Sequence, residues 1–266
     1  MLKPFEYCYL LSSPFLPPLY RHVRRELFRS METRSANPAI LDVGGRKSHY
    51  TIGLPAAVTI SDLPKVSEVQ KRLNLGTNDQ INTRTRARRT NVTRIIYDDM
   101  TATTLPESSF DVIVAVEVLE HVEQDRAFVQ NVYRVLKPGG LFVMTTPNGD
   151  FLANTNPDHK RHYHRSELQS LLRSVFPVVE VRYAIRGGHF RKWGLKSWSL
   201  KHPVQTLLSM FGNVVNSIQS ADDSLAERPA GTHHLFATAR KPVLKSAAVP
   251  QSSAACALLL ALCALL

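Results

Sequence analysis

SFDVIVAVEVLEHV, Ser109 to Val122, is the stretch that decides the fold. From Asp111 to Val116 it is a short apolar run rich in β-branched residues, the signature of a strand buried on both faces of a parallel sheet. The run then ends in Glu117, Glu120 and His121. A strand with only a structural role has no reason to finish in two acids and an imidazole, so its tip reads as part of a site.

Working outward, four further segments fall at the spacing of successive β–α units: ILDVGG (Ile40–Gly45), ISDL (Ile60–Leu63), YDDM (Tyr97–Met100) and RVLKPGG (Arg134–Gly140). Strands are predicted at Ala39–Val43, Ala57–Ile60, Arg94–Tyr97, Asp111–Val116, Leu141–Thr145, Val178–Tyr183 and His234–Arg240. Helices are predicted at Pro18–Met31, where Leu19, Val23, Leu27 and Met31 share a face, and at Asp125–Leu136, Ser166–Val175 and Val204–Ile218. This order is that of a doubly wound α/β domain, whose sheet forms a ligand crevice at its carboxyl edge. Residues 1–17 read as an irregular leader, 18–243 as one domain with a variable insertion over 187–230, and 244–266 as an apolar tail.

The edge residues constrain the ligand. The turn after Asp42 carries Gly44 and Gly45, but Arg46 stands where a spaced second glycine would complete a dinucleotide fingerprint. A pyrophosphate then loses its usual seat at a helix N-terminus, which argues against NAD or FAD. Asp62 follows Asp42 by twenty residues, the interval of a carboxylate that accepts from ribose hydroxyls. Asp98 and Asp99, just past the third strand, read either as a contact to an adenine amine or as a surface turn.

Taken in order, ILDVGG, SFDVIVAVEVLEHV, VYRVLKPGG and the TPN after strand five resemble the class I S-adenosylmethionine-dependent methyltransferases, and within them the type 11, ubiquinone-biosynthesis-like group. The resemblance covers about Ala39 to Leu172. It implies a mostly parallel, seven-stranded Rossmann-like sheet with an antiparallel last strand, and S-adenosylmethionine as cofactor. It further implies that Asp42, Gly44 and Gly45 face the methionine moiety, Asp62 the ribose, Asp99 and Met100 the adenine, and Glu117 the cofactor at the tip of strand four. Arg46 departs from the family pattern, so that either the methionine carboxylate meets a guanidinium or the loop is distorted.

Methyl transfer from a sulfonium needs positioning first, and a base only where the acceptor must lose a proton. His121 and His162 are the expected candidates for that base, with His159 and His164 in the same loop. The three cysteines fit neither a zinc knuckle nor a disulfide framework; no metal is expected, and a reducing, cytoplasmic setting is the simplest. The net charge of +11 has no aromatic-interleaved basic motif to read bases, and no Asn/Asp-Pro-Pro-aromatic signature follows strand four. A small-molecule acceptor, of lipid or saccharide type, is therefore expected over RNA or protein, with a non-catalytic cofactor-binding scaffold as the reading from another class. The run Ala254–Leu266 is too short for a helix that spans a bilayer, which leaves a docked tail or a peripheral membrane contact.

Overall fold

The computed structural model describes residues 1–32, 37–65 and 76–243. Within them, β1 (Ala39–Val43), β2 (Ala57–Asp62), β3 (Val92–Tyr97), β4 (Phe110–Val116), β5 (Leu136–Pro147), β6 (Val178–Arg186) and β7 (Thr232–Arg240) form one sheet in the order β3-β2-β1-β4-β5-β7-β6. The pairs from β3 through β5 are parallel, and β7 runs antiparallel to both β5 and β6. This is the expected seven-stranded sheet, with its antiparallel strand wedged between β5 and β6.

Alternation along the strands sends neighbouring residues to opposite faces. Ile40, Val58, Val112, Val114 and Val143 meet Leu19, Val23 and Leu27 of α2 (Pro18–Met31) on one face. Leu41, Ile113, Phe142 and Met144 meet Phe128, Val129 and Val132 of a second amphipathic helix, Asp125–Val135, on the other. The chain runs from β1 out to β2 and β3, then returns to β4 on the other side of β1. The carboxyl ends of β1 and β4 therefore flank the switch point where such sheets bind ligands.

The leader is not irregular. Pro4–Ser12 forms helix α1, with proline in its first turn and Glu6 accepting from the Lys3 backbone N–H at 3.0 Å. Glu6 is buried, and its other oxygen accepts from the backbone N–H and hydroxyl of Thr90, each at 3.1 Å. These tertiary bonds hold a segment whose local pattern gives no periodic signal. The insertion also carries more structure than expected. Among the described residues the remaining α-helices are α3 (Asp79–Arg88), α4 (Asp125–Val135, the helix facing Phe142 above), α5 (Arg165–Arg173), α6 (His189–Gly194) and α7 (Pro203–Gln219). The apolar tail lies outside the described residues.

One half-buried histidine on α2 reports on this packing. His22 stands edge-on to Phe236 at 4.9 Å, and Arg182 Nη2 donates to its Nε2 at 3.2 Å. Desolvation, then the Arg182 cation, lower its pKa to about 4. Because folding keeps this imidazole neutral, its contribution is full above the unfolded value near 6.5 and is lost as pH falls towards 4, by up to about 3 kcal/mol. A ring-proton titration by NMR should give a midpoint near 4. A midpoint at the ordinary histidine value would show the ring to be solvated.

Candidate functional site

The turn leaving β1 is shaped by two glycines with different tasks. Gly44 has φ +67°, and a Cβ there would come within 2.9 Å of the Val118 side chain. A Cβ on Gly45 would fall 2.3 Å from the carboxyl carbon of Asp42. Asp42 itself is fully buried beneath the turn and accepts from Tyr50 OH at 2.8 Å and Thr51 Oγ1 at 2.9 Å. Arg89 Nη2 donates to the same Thr51 hydroxyl at 2.8 Å. Burial pushes the Asp42 pKa up, against these hydroxyls and the Arg89 cation. The expected contact of Asp42 with the methionine moiety is thus corrected. Both its oxygens are spent inward, and it positions the turn without lining the cleft.

The cleft above the turn has a volume of about 250 Å³ and is walled by Gly44, Arg46, Lys47, Asp62, Leu63, Glu117, Val118, His121 and Val122, among others. Asp62 ends β2 and accepts the Leu63 backbone N–H at 2.9 Å; desolvation raises its pKa while Leu63 and Arg46 oppose the shift. Asp99 and Met100 are absent from this wall. Asp99 is exposed and folds back to accept the backbone N–H and hydroxyl of Thr101, at 2.9 and 2.8 Å. Met100 packs in the core beside Leu105 and Phe128. The surface-turn reading of this segment is the one its geometry supports, and apolar cover in the cleft comes from Leu63, Val118 and Val122.

Glu117 is held in the left-handed region, with φ +55°. A charged residue kept there is a mark of functional sites. Its backbone N–H donates to Thr145 O at 3.0 Å, and its Oε1 accepts from Thr145 Oγ1 at 2.8 Å and from His234 Nδ1 at 3.1 Å. Burial alone would raise the Glu117 pKa, but the His234 imidazole and these hydrogen bonds lower it overall. On the far side, Arg191 Nη2 reaches His234 Nε2 at 3.4 Å. A guanidinium can only donate, so Nε2 carries the lone pair and Nδ1 the proton.

Glu117 also lines a second, smaller cavity of about 170 Å³, shared with Tyr20, Ile185, Arg191, Asn213, Asn216 and His234. Ile185 is likewise held at positive φ, +64°. Asn216 Oδ1 is buried there without a partner, while its Nδ2 donates to Arg186 O at 2.7 Å. The two cavities thus meet at one strained carboxylate.

Beside the cleft, Glu120, His121 and His159 bring one ligand atom each to within 4.8 Å of one another, a donor set of metal-binding type that sequence reading did not assemble. Glu120 Oε2 accepts from Thr146 Oγ1 at 3.2 Å, whereas Oε1 is buried and unpartnered. Burial and the Glu117 charge raise its pKa well above the carboxylate range. His121 lines the cleft, with Nδ1 3.0 Å from Asp158 O. His162 uses both ring nitrogens inside its loop, to His159 Nδ1 at 2.8 Å and Leu152 O at 3.2 Å, which leaves it no lone pair for a substrate. Of the groups at this junction, His234 and Arg191 were missed in the sequence. The local signal was the His233–His234 pair at the start of a strand, but nothing in it showed that β7 would stand next to β5.

The methyltransferase-domain family matches residues 67–144. A probable S-adenosylmethionine-dependent methyltransferase of Mycolicibacterium smegmatis is 38% identical over 81 residues, covering 29% of this chain and 32% of that protein. The mitochondrial ubiquinone biosynthesis O-methyltransferase of Schizosaccharomyces pombe is 33% identical over 132 residues, covering 48% and 44%. The chain thus spans less than half the length of these curated relatives. A methyltransferase structure from Archaeoglobus fulgidus superposes with a TM-score of 0.51 at 16% identity, over 84% of this chain and 94% of that one, and shares the fold. Over these stretches the chain is similar to methyltransferases of the S-adenosylmethionine-dependent kind, as the motifs implied.

Proposed function

We propose that this protein is an S-adenosylmethionine-dependent methyltransferase acting on a small-molecule acceptor. The observation that carries the reading is Glu117, the common wall of the cleft of about 250 Å³ and of the separate cavity of about 170 Å³. The cleft suits the cofactor's chemistry: Asp62 for ribose hydroxyls, Arg46 and Lys47 for a carboxylate, apolar cover for a base and no seat for a diphosphate. When bound, S-adenosylmethionine supplies a methyl group activated by sulfonium charge.

The residues of this chain then do the rest. Arg191 and Asn216 Oδ1 orient the acceptor, as donor and acceptor respectively. Once Arg191 turns from His234 to the acceptor, the freed Nε2 lone pair takes the proton that an acceptor O–H or N–H releases, and Glu117 holds the resulting imidazolium through Nδ1–H, the role of a carboxylate behind a general base. The same residues also restrict the acceptor to a molecule small enough to enter from beside α2 and α7.

Calorimetry with S-adenosylmethionine tests the cofactor half. Asp62→Ala is expected to weaken binding by about 1–3 kcal/mol, the scale of lost charge-assisted hydrogen bonds. Unchanged affinity in a folded variant would remove Asp62 from the site. Transfer of labelled methyl across a panel of hydroxyl and amine acceptors tests the second half; binding without transfer would favour a scaffold.

A further inference from the structure

Helix α7 is built inside out. Val204, Leu207, Leu208 and Phe211 recur at the spacing of one helix face, yet that face is turned to solvent, each side chain 44–70% exposed. The residues α7 buries are Ser209, Gly212, Asn213 and Asn216. Ser209 Oγ donates to Gly194 O at 3.0 Å and receives Trp198 Nε1–H at 3.1 Å. Asn213 Nδ2 donates to Phe15 O at 2.9 Å, and Asn216 Nδ2 to Arg186 O. These bonds fix the polar face against the protein, so the helix cannot roll its leucines inward without breaking them. Leu195 and Leu200 extend the exposed apolar surface. A patch of this kind on a folded domain marks a binding surface.

Its chemistry selects the partner. From Gly187 to Ser220 there is no acidic residue, while Arg191, Lys192, Lys196 and Lys201 stand in the same stretch. Lys192, Lys196 and Lys201 are exposed, and among the described residues none has an ion-pair partner. Both tryptophans of the chain, Trp193 and Trp198, lie here as well. Exposed leucine and phenylalanine, flanking lysines and tryptophan are the combination that settles in the headgroup region of an anionic bilayer. A second copy of this chain would instead bring like charge against like charge.

The geometry points to α6 and α7 as a membrane-docking face for a bilayer with anionic headgroups. Arg191 and Leu195 at the α6 end, and Asn213 and Asn216 of α7, also wall the smaller cavity. Docking therefore sets that cavity directly beneath the membrane-facing helix, with Arg191 and Leu195 at its rim, and, resting on the methyltransferase reading, the acceptor is a lipid-borne molecule whose polar head reaches in past α6.

The full chain is mixed with phosphatidylcholine vesicles, with or without phosphatidylserine, and followed by sedimentation and intrinsic tryptophan emission. Because both tryptophans lie on this face, a shift of emission to shorter wavelength reports its burial. Binding to the phosphatidylserine vesicles is expected, weakening with salt. Leu207→Glu with Phe211→Glu should reduce binding at least about tenfold and abolish the emission shift. Both positions are exposed, so circular dichroism and calorimetric S-adenosylmethionine affinity should match the unsubstituted chain. Absence of vesicle binding, binding undiminished in the double variant, or sedimentation without an emission shift would each overturn the proposal. So would a concentration-dependent dimer that the double variant abolishes. Loss of cofactor binding in the unsubstituted chain would instead count against the methyltransferase reading and leave the docking result standing.

Discussion

His234→Asn is expected to lower turnover by about 10²–10⁴-fold, the contribution of a positioned general base, with S-adenosylmethionine affinity unchanged. The asparagine amide can still donate to Glu117 from near the place of Nδ1, so the carboxylate keeps its partner, but it offers no lone pair to an acceptor proton. A variant with full turnover would show that the acceptor proton leaves by another route. The split between cofactor binding and turnover separates this role from a structural one. A collapsed β7 would disturb both, since β7 pairs with β5 along its length.

Asp42→Ala is expected to cost about 3–5 kcal/mol of stability in urea unfolding, because it strips a buried acceptor from a network that includes a buried cation. Tyr50 and Thr51 would lose their common partner, and Arg89, whose Nε already lacks one, would lose a countercharge. Asp42→Asn should cost less, since the amide oxygen still accepts. A loss below about 1 kcal/mol in the alanine variant would mean that the turn is held by other contacts. Cofactor affinity would fall with the turn's disorder and not through a lost direct contact.

The sheet was legible because its strands are apolar runs of ordinary length, and parallel strands buried on both faces write their burial into composition. Gly44, Asp62 and Glu117 line one cleft because their positions follow from where a strand stops. Asp42 and Asp99 were misread in their orientation. A carboxylate at a strand tip can turn towards the crevice or back under its own loop, and only the neighbours decide. For Asp42 the deciding neighbours were Tyr50, Thr51 and Arg89, up to 47 positions away in the chain. The convergence of three acids expected from the sequence therefore reduces to one, Asp62, with Arg46, Lys47 and Glu117 supplying the rest of the wall. Helix α7 was expected from the sequence over Val204–Ile218, but a helical pattern says which residues share a face and not which way that face turns. The Glu117–His234–Arg191 line lies beyond sequence reasoning altogether, because it joins β4, β7 and a helix of the insertion.

The placement of β7 carries a consequence for how the molecule matures. It is the last described strand to leave the ribosome, yet it fills an inner slot of the sheet. Until it arrives, β5 and β6 each present a row of unpaired amides and carbonyls, the kind of raw border that recruits other chains. The same late strand delivers His234. Closure of the sheet and assembly of the proton acceptor are thus one event, and a nascent chain that stalls before Thr232 is both sticky and without its base.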